Sequence, residues 1–134
     1  METTLDFLRQ HHRSVLITRR EDGSIQSSPV VHAVGVDSRV LISSTEGRAK
    51  VHNIRRSPAV SLCALTDNFF GSWLQADGRA TIVSLPDAMD LLVETYRKVA
   101  GEHEDWEEYR AAMTRDRRCI IAIEVQRASG PAAG

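Results

Sequence analysis

Four permanent cations stand within nine residues in the segment from Arg48 to Arg56, which reads Arg-Ala-Lys-Val-His-Asn-Ile-Arg-Arg. The hydroxyl cluster Ser43-Ser44-Thr45 comes shortly before it. If a helix begins here, hydroxyls, free backbone N–H groups and the positive end of the helix dipole converge, and all three favour an anion. Arginine adds a flat bidentate fork, and lysine adds a mobile point charge. The segment therefore predicts a site for a ligand that carries phosphate or carboxylate groups.

Helical geometry divides this basic segment into two parts. At about 100° per residue, Arg48 and Arg55 point nearly the same way, so with Arg56 they could equally form an ordinary solvated helix face. Lys50 and Asn53 instead flank the apolar stripe of the helix. We therefore expect these two side chains to point inward into a cleft.

The sequence offers no arrangement of catalytic side chains. No Ser-His-Asp or Cys-His combination can be argued from spacing, and no close-spaced Cys/His pattern indicates a metal site. We therefore predict no catalytic residue and no metal. His32 is the one histidine that we would test as a proton donor, because its strand runs near the expected cleft.

Strands must position this site. The β-branched runs 14–18, 25–34 and 39–43, with Asp22-Gly23 between the first two, predict a three-stranded antiparallel meander. Pro29 has no N–H to give to a neighbouring strand, so it should bend the second strand or place it at an edge.

A helix and a second set of strands should follow. Ser43 with Glu46 three residues later matches a capping box, which predicts a helix over 46–56 that Ser57-Pro58 ends. The next strands are predicted at 59–65, 72–76 and 79–83, with a turn at Asp77-Gly78.

The C-terminal third reads as helices and a last strand. Apolar residues at helical spacing predict a helix that begins at Pro86 and ends at Gly101, and an amphipathic stretch from Trp106 to Met113 follows. A strand is predicted at 119–125, and residues 128–134 should form a loose tail. Six or seven antiparallel strands with a few short helices predict one α+β domain, a closed or split barrel over 1–127.

Composition limits the partners. A net charge of −1 and an aromatic content of 5% argue against nucleic-acid binding. No run approaches the ~18 apolar residues of a membrane span, and the N-terminus carries acids where a signal peptide needs a basic region. We therefore expect a cytoplasmic protein with no nucleic-acid or membrane partner.

Taken in order, these motifs resemble the pyridoxamine-phosphate-oxidase-like split-barrel flavoproteins, with the FMN-binding split-barrel fold. They look most like the actinobacterial branch that uses the 5-deazaflavin coenzyme F420. The resemblance covers about residues 5 to 127. The matching motifs are Leu16-Ile17-Thr18, Gln26 to Val30, Arg48-Ala49-Lys50, Asn53 to Arg56, Asp77 to Ala80, Tyr96-Arg97, Ala100 to His103 and Asp116-Arg117-Arg118.

The resemblance implies an activity and an assembly. It implies an F420-dependent oxidoreductase of the pyridoxamine-phosphate-oxidase-like class. Such an enzyme transfers a hydride between the reduced deazaflavin and an unsaturated or conjugated organic acceptor. It also implies a homodimer of split β-barrels with two cofactor clefts at the subunit interface, each built from both chains.

The resemblance also implies where the cofactor would bind. The residues that would hold its phosphate and ribityl-like chain are Ser43, Thr45, Arg48, Ala49 and Lys50, with Asn53 close by. Those that would face the deazaflavin ring are Gln26 and Ser28. Those that would come from the partner subunit are Gly71, Ser72 and Trp73. Arg117 or Arg118 would reach the cofactor's acidic tail.

Two other functions stay open. One is an FMN-dependent enzyme of the pyridoxine-phosphate-oxidase type, although we would expect a longer chain with further basic residues after Gln126-Arg127. The other is a carrier or sensor that binds a cofactor or tetrapyrrole without turnover. Titration with F420 and with FMN separates these possibilities.

Overall fold

The computed structural model describes residues 1–133. The strands in this range are β1 (Arg13–Arg19), β2 (Ile25–Val31), β3 (Ala33–Val34), β4 (Val40–Thr45), β5 (Ala59–Leu65), β6 (Trp73–Val83) and β7 (Arg118–Ser129). The helices are α1 (Glu2–Gln10), α2 (Ala49–Arg56), α3 (Met89–Ala100) and α4 (Trp106–Arg115), followed by a short 3-10 helix at Pro131–Ala133. Within this range no helix is long and apolar enough to cross a membrane.

The strands form one antiparallel sheet in the order β2-β1-β5-β6-β7-β4-β3. Only His32 separates β2 from β3, yet these strands lie at opposite ends of the sheet. The sheet must therefore curl until its ends approach each other, and β2 does contact β4. This half-barrel, split between β2 and β4, confirms the predicted α+β split barrel.

Two apolar clusters hold the sheet. Inside the barrel pack side chains such as Leu16, Ile42 and Leu62, each 1% exposed or less. On the other face of β4 and β7, Leu41 and Ile120 pack under α3 and α4. Residues 40–42 of β4 and 119–123 of β7 are covered on both faces, so these stretches are continuous apolar runs, whereas β1 and β5 alternate.

The two pairings of the first predicted meander are confirmed, because its second strand, 25–34, pairs with β1 through β2 and with β4 through β3, but this strand is broken in two at His32. β4 lies beside β7 and β3, and β2 pairs only with β1. The chain changes direction at His32, not at Pro29, which stays inside β2 opposite Val15. The edge position predicted for this strand is confirmed, and it explains how a residue without an N–H is tolerated there.

The predicted turn at Asp77-Gly78 is also wrong, because β6 runs through it from Trp73 to Val83. The pairing of β6 with β7 shifts register between these two residues, which is a β-bulge. A Cβ atom on Gly78 would overlap the carbonyl oxygen of Glu124 in β7. Glycine is thus required here by close backbone contact and not by a turn.

Helix starts differ from their predictions. α2 begins at Ala49 with Arg48 as an extended N-cap that makes no side-chain cap bond, so the predicted capping box is wrong. Ser43 belongs to β4, and Glu46 binds Arg55 and Ser84 instead. α3 begins at Met89 and not at Pro86.

The C-terminal segment is more regular than the loose tail predicted from residue 128. β7 continues to Ser129, and the 3-10 helix Pro131–Ala133 packs beside α1. The Thr4 hydroxyl donates to the carbonyl oxygen of Ala133 over 3.4 Å. Gly134, the last residue of the predicted tail, lies outside the described residues.

Candidate functional site

A cleft of about 650 Å³ opens at the split of the barrel. Edge strand β2 forms one wall through Val30, and α3 forms another through Tyr96. Ser43 of β4, Lys50 of α2 and Arg118 of β7 also line it. The cleft exists because the two ends of the curled sheet do not join, which leaves a space that α3 and α4 flank.

One end of the cleft is cationic and rich in hydroxyls. Arg118 donates through Nη2 to the Ser43 hydroxyl over 2.7 Å and through Nη1 to the Thr45 hydroxyl over 3.1 Å. Strand alternation puts both hydroxyls on one face of β4, and Arg118 pairs with Thr45 in register. Lys50 Nζ donates to the Ser28 hydroxyl over 3.3 Å.

Within the described part of the chain, these cations have no acidic partner. Among residues 1–133, no ion pair joins a carboxylate to Arg48, Lys50 or Arg118. Burial lowers the pKa of Lys50, and the charges of Arg48 and Arg118 lower it further. The buried Nε of Arg118 also has no hydrogen-bond partner in this part of the chain. The site therefore has the charge and the free donor that a phosphate requires.

Asn53 lies on the buried face of α2 and fixes the position of the helix. Its amide nitrogen donates to Gln26 Oε1 over 2.8 Å and to the Thr18 hydroxyl over 3.1 Å. Its amide oxygen accepts from Arg56 Nη2 over 3.0 Å. This network ties α2 to β1 and β2. It thereby also fixes Lys50, which precedes Asn53 by about one helical turn and lines the cleft.

The remaining predicted residues of the basic segment do not line the cleft. Arg48 and Ala49 are exposed at the start of α2, with Arg48 close enough to Lys50 to affect its pKa. Arg55 forms an ion pair of 2.7 Å with Glu46. Arg56 bonds to Asn53 and to a backbone oxygen of β1. The expected division of this segment is seen for Lys50, which lines the cleft, whereas Asn53 points inward but is buried and does not line the cleft.

Arg117 and Arg118 differ in which cavities they line. Arg117 has a φ of 53° at the turn into β7 and lines an adjacent cavity of about 420 Å³ with Glu46 and Thr114. Arg118 borders both cavities. Of the two arginines, only Arg118 reaches the cleft.

Gly71, Ser72 and Trp73 do not line this chain's own cleft. They stand at the end of the β5–β6 loop and the start of β6, where Trp73 is 41% exposed. Two further aromatic residues of this loop, Phe69 and Phe70, are also exposed. A contribution of this segment to a partner's cleft stays a prediction.

His32 is not in the cleft, so the suggestion that it donates a proton there is wrong. It is fully buried at the junction of β2 and β3. Its Nε2 donates to the carbonyl oxygen of Leu8 over 3.0 Å, and its Nδ1 therefore accepts from the Ser14 hydroxyl. Burial lowers its pKa to about 4. His32 is a neutral structural histidine.

Sequence reasoning missed the apolar wall of the cleft. Leu92, Tyr96 and Val99 lie on one face of α3, and Met113 joins them from α4. The Tyr109 hydroxyl donates to the carbonyl oxygen of Leu92 over 2.9 Å and holds the two helices together. The helical spacing of these residues predicts an apolar helix face. It does not indicate a cleft wall, because the same spacing is typical of any helix that packs on a core.

The cleft thus combines a cationic, hydroxyl-rich end with apolar walls. Ser43, Thr45, Lys50 and Arg118 fit a phosphate group, and the space beside them fits an aromatic ring system. The fold and this site define a split-barrel protein whose cleft has one cationic, hydroxyl-rich end and apolar walls.

The family model for pyridoxamine 5'-phosphate oxidase matches residues 1–130. The chain therefore belongs to this family.

Several solved structures share the fold. A conserved hypothetical protein from Mycobacterium tuberculosis superposes with a TM-score of 0.79 at 21% identity, covering 96% of this chain and 82% of that one. A protein named F420 reductase gives 0.71 at 22% identity, with 92% and 94% covered. A heme binding protein from Mycobacterium smegmatis gives 0.73 at 13% identity, with 98% and 53% covered. At such identities these likenesses establish the fold.

Proposed function

We propose that this protein is an F420-dependent oxidoreductase that transfers a hydride between the reduced deazaflavin and an unsaturated or conjugated organic acceptor. The observation that carries the proposal is the pair of cations Lys50 and Arg118, without acidic partners in residues 1–133, at one end of a cleft of about 650 Å³. Family membership and the fold shared with a protein named F420 reductase support it.

The chain's own residues would bind and orient the reactants. Lys50, Arg118 and the hydroxyls of Ser43 and Thr45 would hold the phosphate, with Arg48 and Ala49 at the start of α2 beside them. Gln26 and Ser28 of β2 would face the deazaflavin ring. When bound, the reduced deazaflavin supplies a hydride to one carbon of the acceptor's double bond, and a solvent proton completes the two-electron reduction. The protein would contribute positioning and exclusion of water.

A homodimer is part of the proposal. Gly71, Ser72 and Trp73 would complete the cleft of the partner subunit, and Arg118 or Arg117 would meet the cofactor's acidic tail. The exposure of Trp73 and its distance from this chain's own cleft support that arrangement.

FMN is the second candidate cofactor. The family is that of pyridoxamine 5'-phosphate oxidase, and the same cations would hold the FMN phosphate. The absorption spectrum of the purified protein distinguishes the two, because a flavoprotein that retains FMN is yellow. Titration with oxidised and reduced F420 and with FMN then gives each affinity.

Replacing Lys50 tests the phosphate site. We expect Lys50→Met, which keeps the apolar stem, to weaken F420 binding about 10- to 100-fold, since a hydrogen bond to a charged group contributes ~1.5–3 kcal/mol. Arg9→Ala removes an exposed cation of α1 as a control and should leave the affinity unchanged.

Three outcomes decide between the candidates. Retention of FMN with no affinity for F420 would reject the F420 proposal. F420 binding without reduction of enones or quinones would indicate a carrier. Unchanged F420 affinity in Lys50→Met would show that the cofactor binds elsewhere.

A further inference from the structure

One face of edge strand β2 continues from the cleft toward α2. Val30 of this strand lines the cleft, and the Ser28 hydroxyl, two residues earlier, accepts from Lys50 Nζ over 3.3 Å. Because side chains alternate along a strand, Gln26 is the next residue on this face, about 7 Å beyond Ser28. Its side chain is partly buried. A flat ring that lies along this face of β2 therefore meets the Gln26 amide.

The orientation of the Asn53 amide is fixed by Arg56. Arg56 Nη2 lies 3.0 Å from one atom of this amide. A guanidinium group can only donate, so the amide atom that faces it must be the carbonyl oxygen Oδ1. The amide nitrogen Nδ2 then faces the Thr18 hydroxyl and Gln26. Asn53 is 6% exposed and Thr18 is 1% exposed, so water does not compete for these bonds.

Asn53 in turn fixes the amide of Gln26. Nδ2 of Asn53 is a donor, so the Gln26 atom that lies 2.8 Å from it must be the carbonyl oxygen Oε1. Within residues 1–133, Oε1 is the only atom of the Gln26 side chain that makes a hydrogen bond. The amide nitrogen Nε2 therefore points away from Asn53 with both N–H groups available. A ligand beside β2 meets a donor at Gln26 and not an acceptor.

A donor in this position suits the ring of a flavin or a deazaflavin. The pyrimidine part of either ring carries two carbonyl oxygens, which accept hydrogen bonds. If the Gln26 amide were turned round, Oε1 would face these oxygens, and two acceptors cannot satisfy each other. Reduction adds two electrons to the conjugated ring and makes its carbonyl oxygens better acceptors. A fixed donor should therefore bind the reduced ring more strongly than the oxidised ring.

We propose that Gln26 donates from Nε2 to a carbonyl oxygen of the cofactor's ring, and that Asn53 and Arg56 are positioning residues that hold the Gln26 amide in this orientation. The inference rests on the proposed function, because it requires a deazaflavin ring beside β2. A chain of hydrogen bonds runs from Arg56 in the last turn of α2, through Asn53, to the edge strand. Arg56 does not line the cleft, yet it thereby acts on the bound cofactor.

Gln26→Met tests the donor by replacing the amide with an apolar side chain of similar length. We expect the Kd for oxidised F420 to rise about 2- to 10-fold, as for the loss of one neutral hydrogen bond. The Kd for reduced F420 should rise by a larger factor, and the absorption maximum of the bound cofactor should shift. A purely structural role of Gln26 would change neither the ratio of the two Kd values nor the spectrum. Gln10→Met, at the exposed end of α1, is the matched control and should bind F420 as the wild type does.

Asn53→Asp tests the orientation. An ionised aspartate can only accept, so Gln26 would turn Nε2 toward it and Oε1 toward the ring, while Arg56 keeps its partner. We expect the Kd for F420 to rise at least as much as in Gln26→Met. In the Gln26→Met background the same change should have a smaller effect, because part of the effect acts through Gln26. A charge that repels the phosphate acts equally in both backgrounds, so equal losses would overturn the positioning role of Asn53.

Two variants of Arg56 test the far end of the chain of hydrogen bonds. Arg56→Lys keeps a donor for Oδ1 of Asn53 and should retain most of the F420 affinity. Arg56→Leu removes the donor and lets the Asn53 amide take both orientations, so the Kd should rise about twofold or more. Arg9→Leu, which removes an exposed arginine of α1, should have no effect. Equal F420 affinities of Arg56→Lys and Arg56→Leu would overturn the role given to Arg56.

Failure of this inference and failure of the proposed function are distinguishable. If the wild type binds F420 and Gln26→Met binds both of its redox forms equally well as the wild type, only the present inference is overturned. If the wild type binds FMN and not F420, the F420 proposal fails. The same variants titrated with FMN then test Gln26, because the FMN ring carries the same carbonyl oxygens. If the wild type binds neither cofactor, both proposals are overturned.

Discussion

Lys50 and Arg118 come from α2 and β7, and strand hydroxyls hold both at one end of the cleft. Burial and mutual repulsion disfavour the charged form of Lys50, so its pKa lies below the ordinary value. An anionic ligand would reverse this effect, because a nearby opposite charge favours the ammonium form. The electrostatics around Lys50 is therefore of the kind that favours a phosphate group beside it.

His32 affects stability and not chemistry. It joins α1 to the β2–β3 junction through bonds to Leu8 and Ser14, and burial holds it neutral with a pKa of about 4. In the unfolded chain it takes up a proton below an ordinary pKa of about 6.5. Between these two values protonation therefore favours the unfolded state.

We expect the free energy of unfolding to fall as the pH drops from 6.5 to 5, by up to about 1.4 kcal/mol per pH unit from His32 alone. Urea unfolding at a series of pH values measures this dependence. His32→Gln should remove this part of the slope, whereas His52→Gln on the exposed face of α2 should not. A wild-type stability that is constant from pH 6.5 to 5 would contradict the prediction.

At the scale of elements, the two longest strands, β6 and β7, pair with each other near the middle of the sheet. Both strands exceed ten residues, and their bulge at Asp77/Gly78 lets the sheet bend. Asp77 stays on the outer face, where its carboxylate accepts from Arg127 over 2.9 Å and from the Ser61 hydroxyl over 2.6 Å. The bulge therefore positions a polar group as well as the strand.

Gly78→Ala should destabilise the fold, because the added methyl group meets the carbonyl oxygen of Glu124 and must push the two strands apart. Overpacking of this kind typically costs about 1–3 kcal/mol. Urea unfolding would measure the loss. Gly47→Ala is a matched control, since a Cβ there meets nothing within 4 Å, and equal stability of both variants would refute the close approach.

At the scale of the whole molecule, the outer face of the sheet next to the split is apolar and partly exposed. Val15 faces outward on β1, with Pro29 of β2 beside it in register. On the next strands of the sheet, Leu65 of β5 pairs in register with Trp73 of β6, which is 41% exposed. An exposed patch of this kind is typical of a surface between subunits, so it supports the proposed homodimer.

Val15→Lys tests the assembly by placing a charge in the middle of this patch. We expect the wild type to sediment as a dimer and the variant as a monomer, because a buried charge without a partner opposes association. F420 affinity should fall together with dimerisation, since the cleft would lose its partner residues. Val36→Lys, at a valine 88% exposed on the β3–β4 turn, should remain dimeric, and a monomeric wild type would contradict the proposal.

Some properties of the whole molecule stay predictions. The cytoplasmic location, the absence of nucleic-acid and membrane partners, and the role of Gly71 to Trp73 in a partner's cleft rest on the sequence and on its resemblance to the family. The sedimentation experiment and the cofactor titrations address the assembly and the site separately.

The sequence by itself determined the local elements and the type of chemistry. Alternating apolar residues specify strands such as β1 and β5, because a half-buried strand repeats every two residues. The cations and hydroxyls from Ser43 to Lys50 predict an anion site, because cationic side chains and hydroxyl donors are the groups that bind phosphate well. These properties depend only on residues that are close together in the chain, so they can be predicted from the sequence.

Only the tertiary structure decided which distant groups meet. The pairing of β4 with β7 brings Arg118 to Ser43, and the break at His32 sends β2 and β3 to opposite ends of the sheet. The bulge at Gly78 and the burial of His32 likewise depend on contacts between residues far apart in the chain. Local patterns cannot specify such contacts, because many pairings bury the same apolar residues. The cleft exists because the chosen pairing leaves the barrel open on one side.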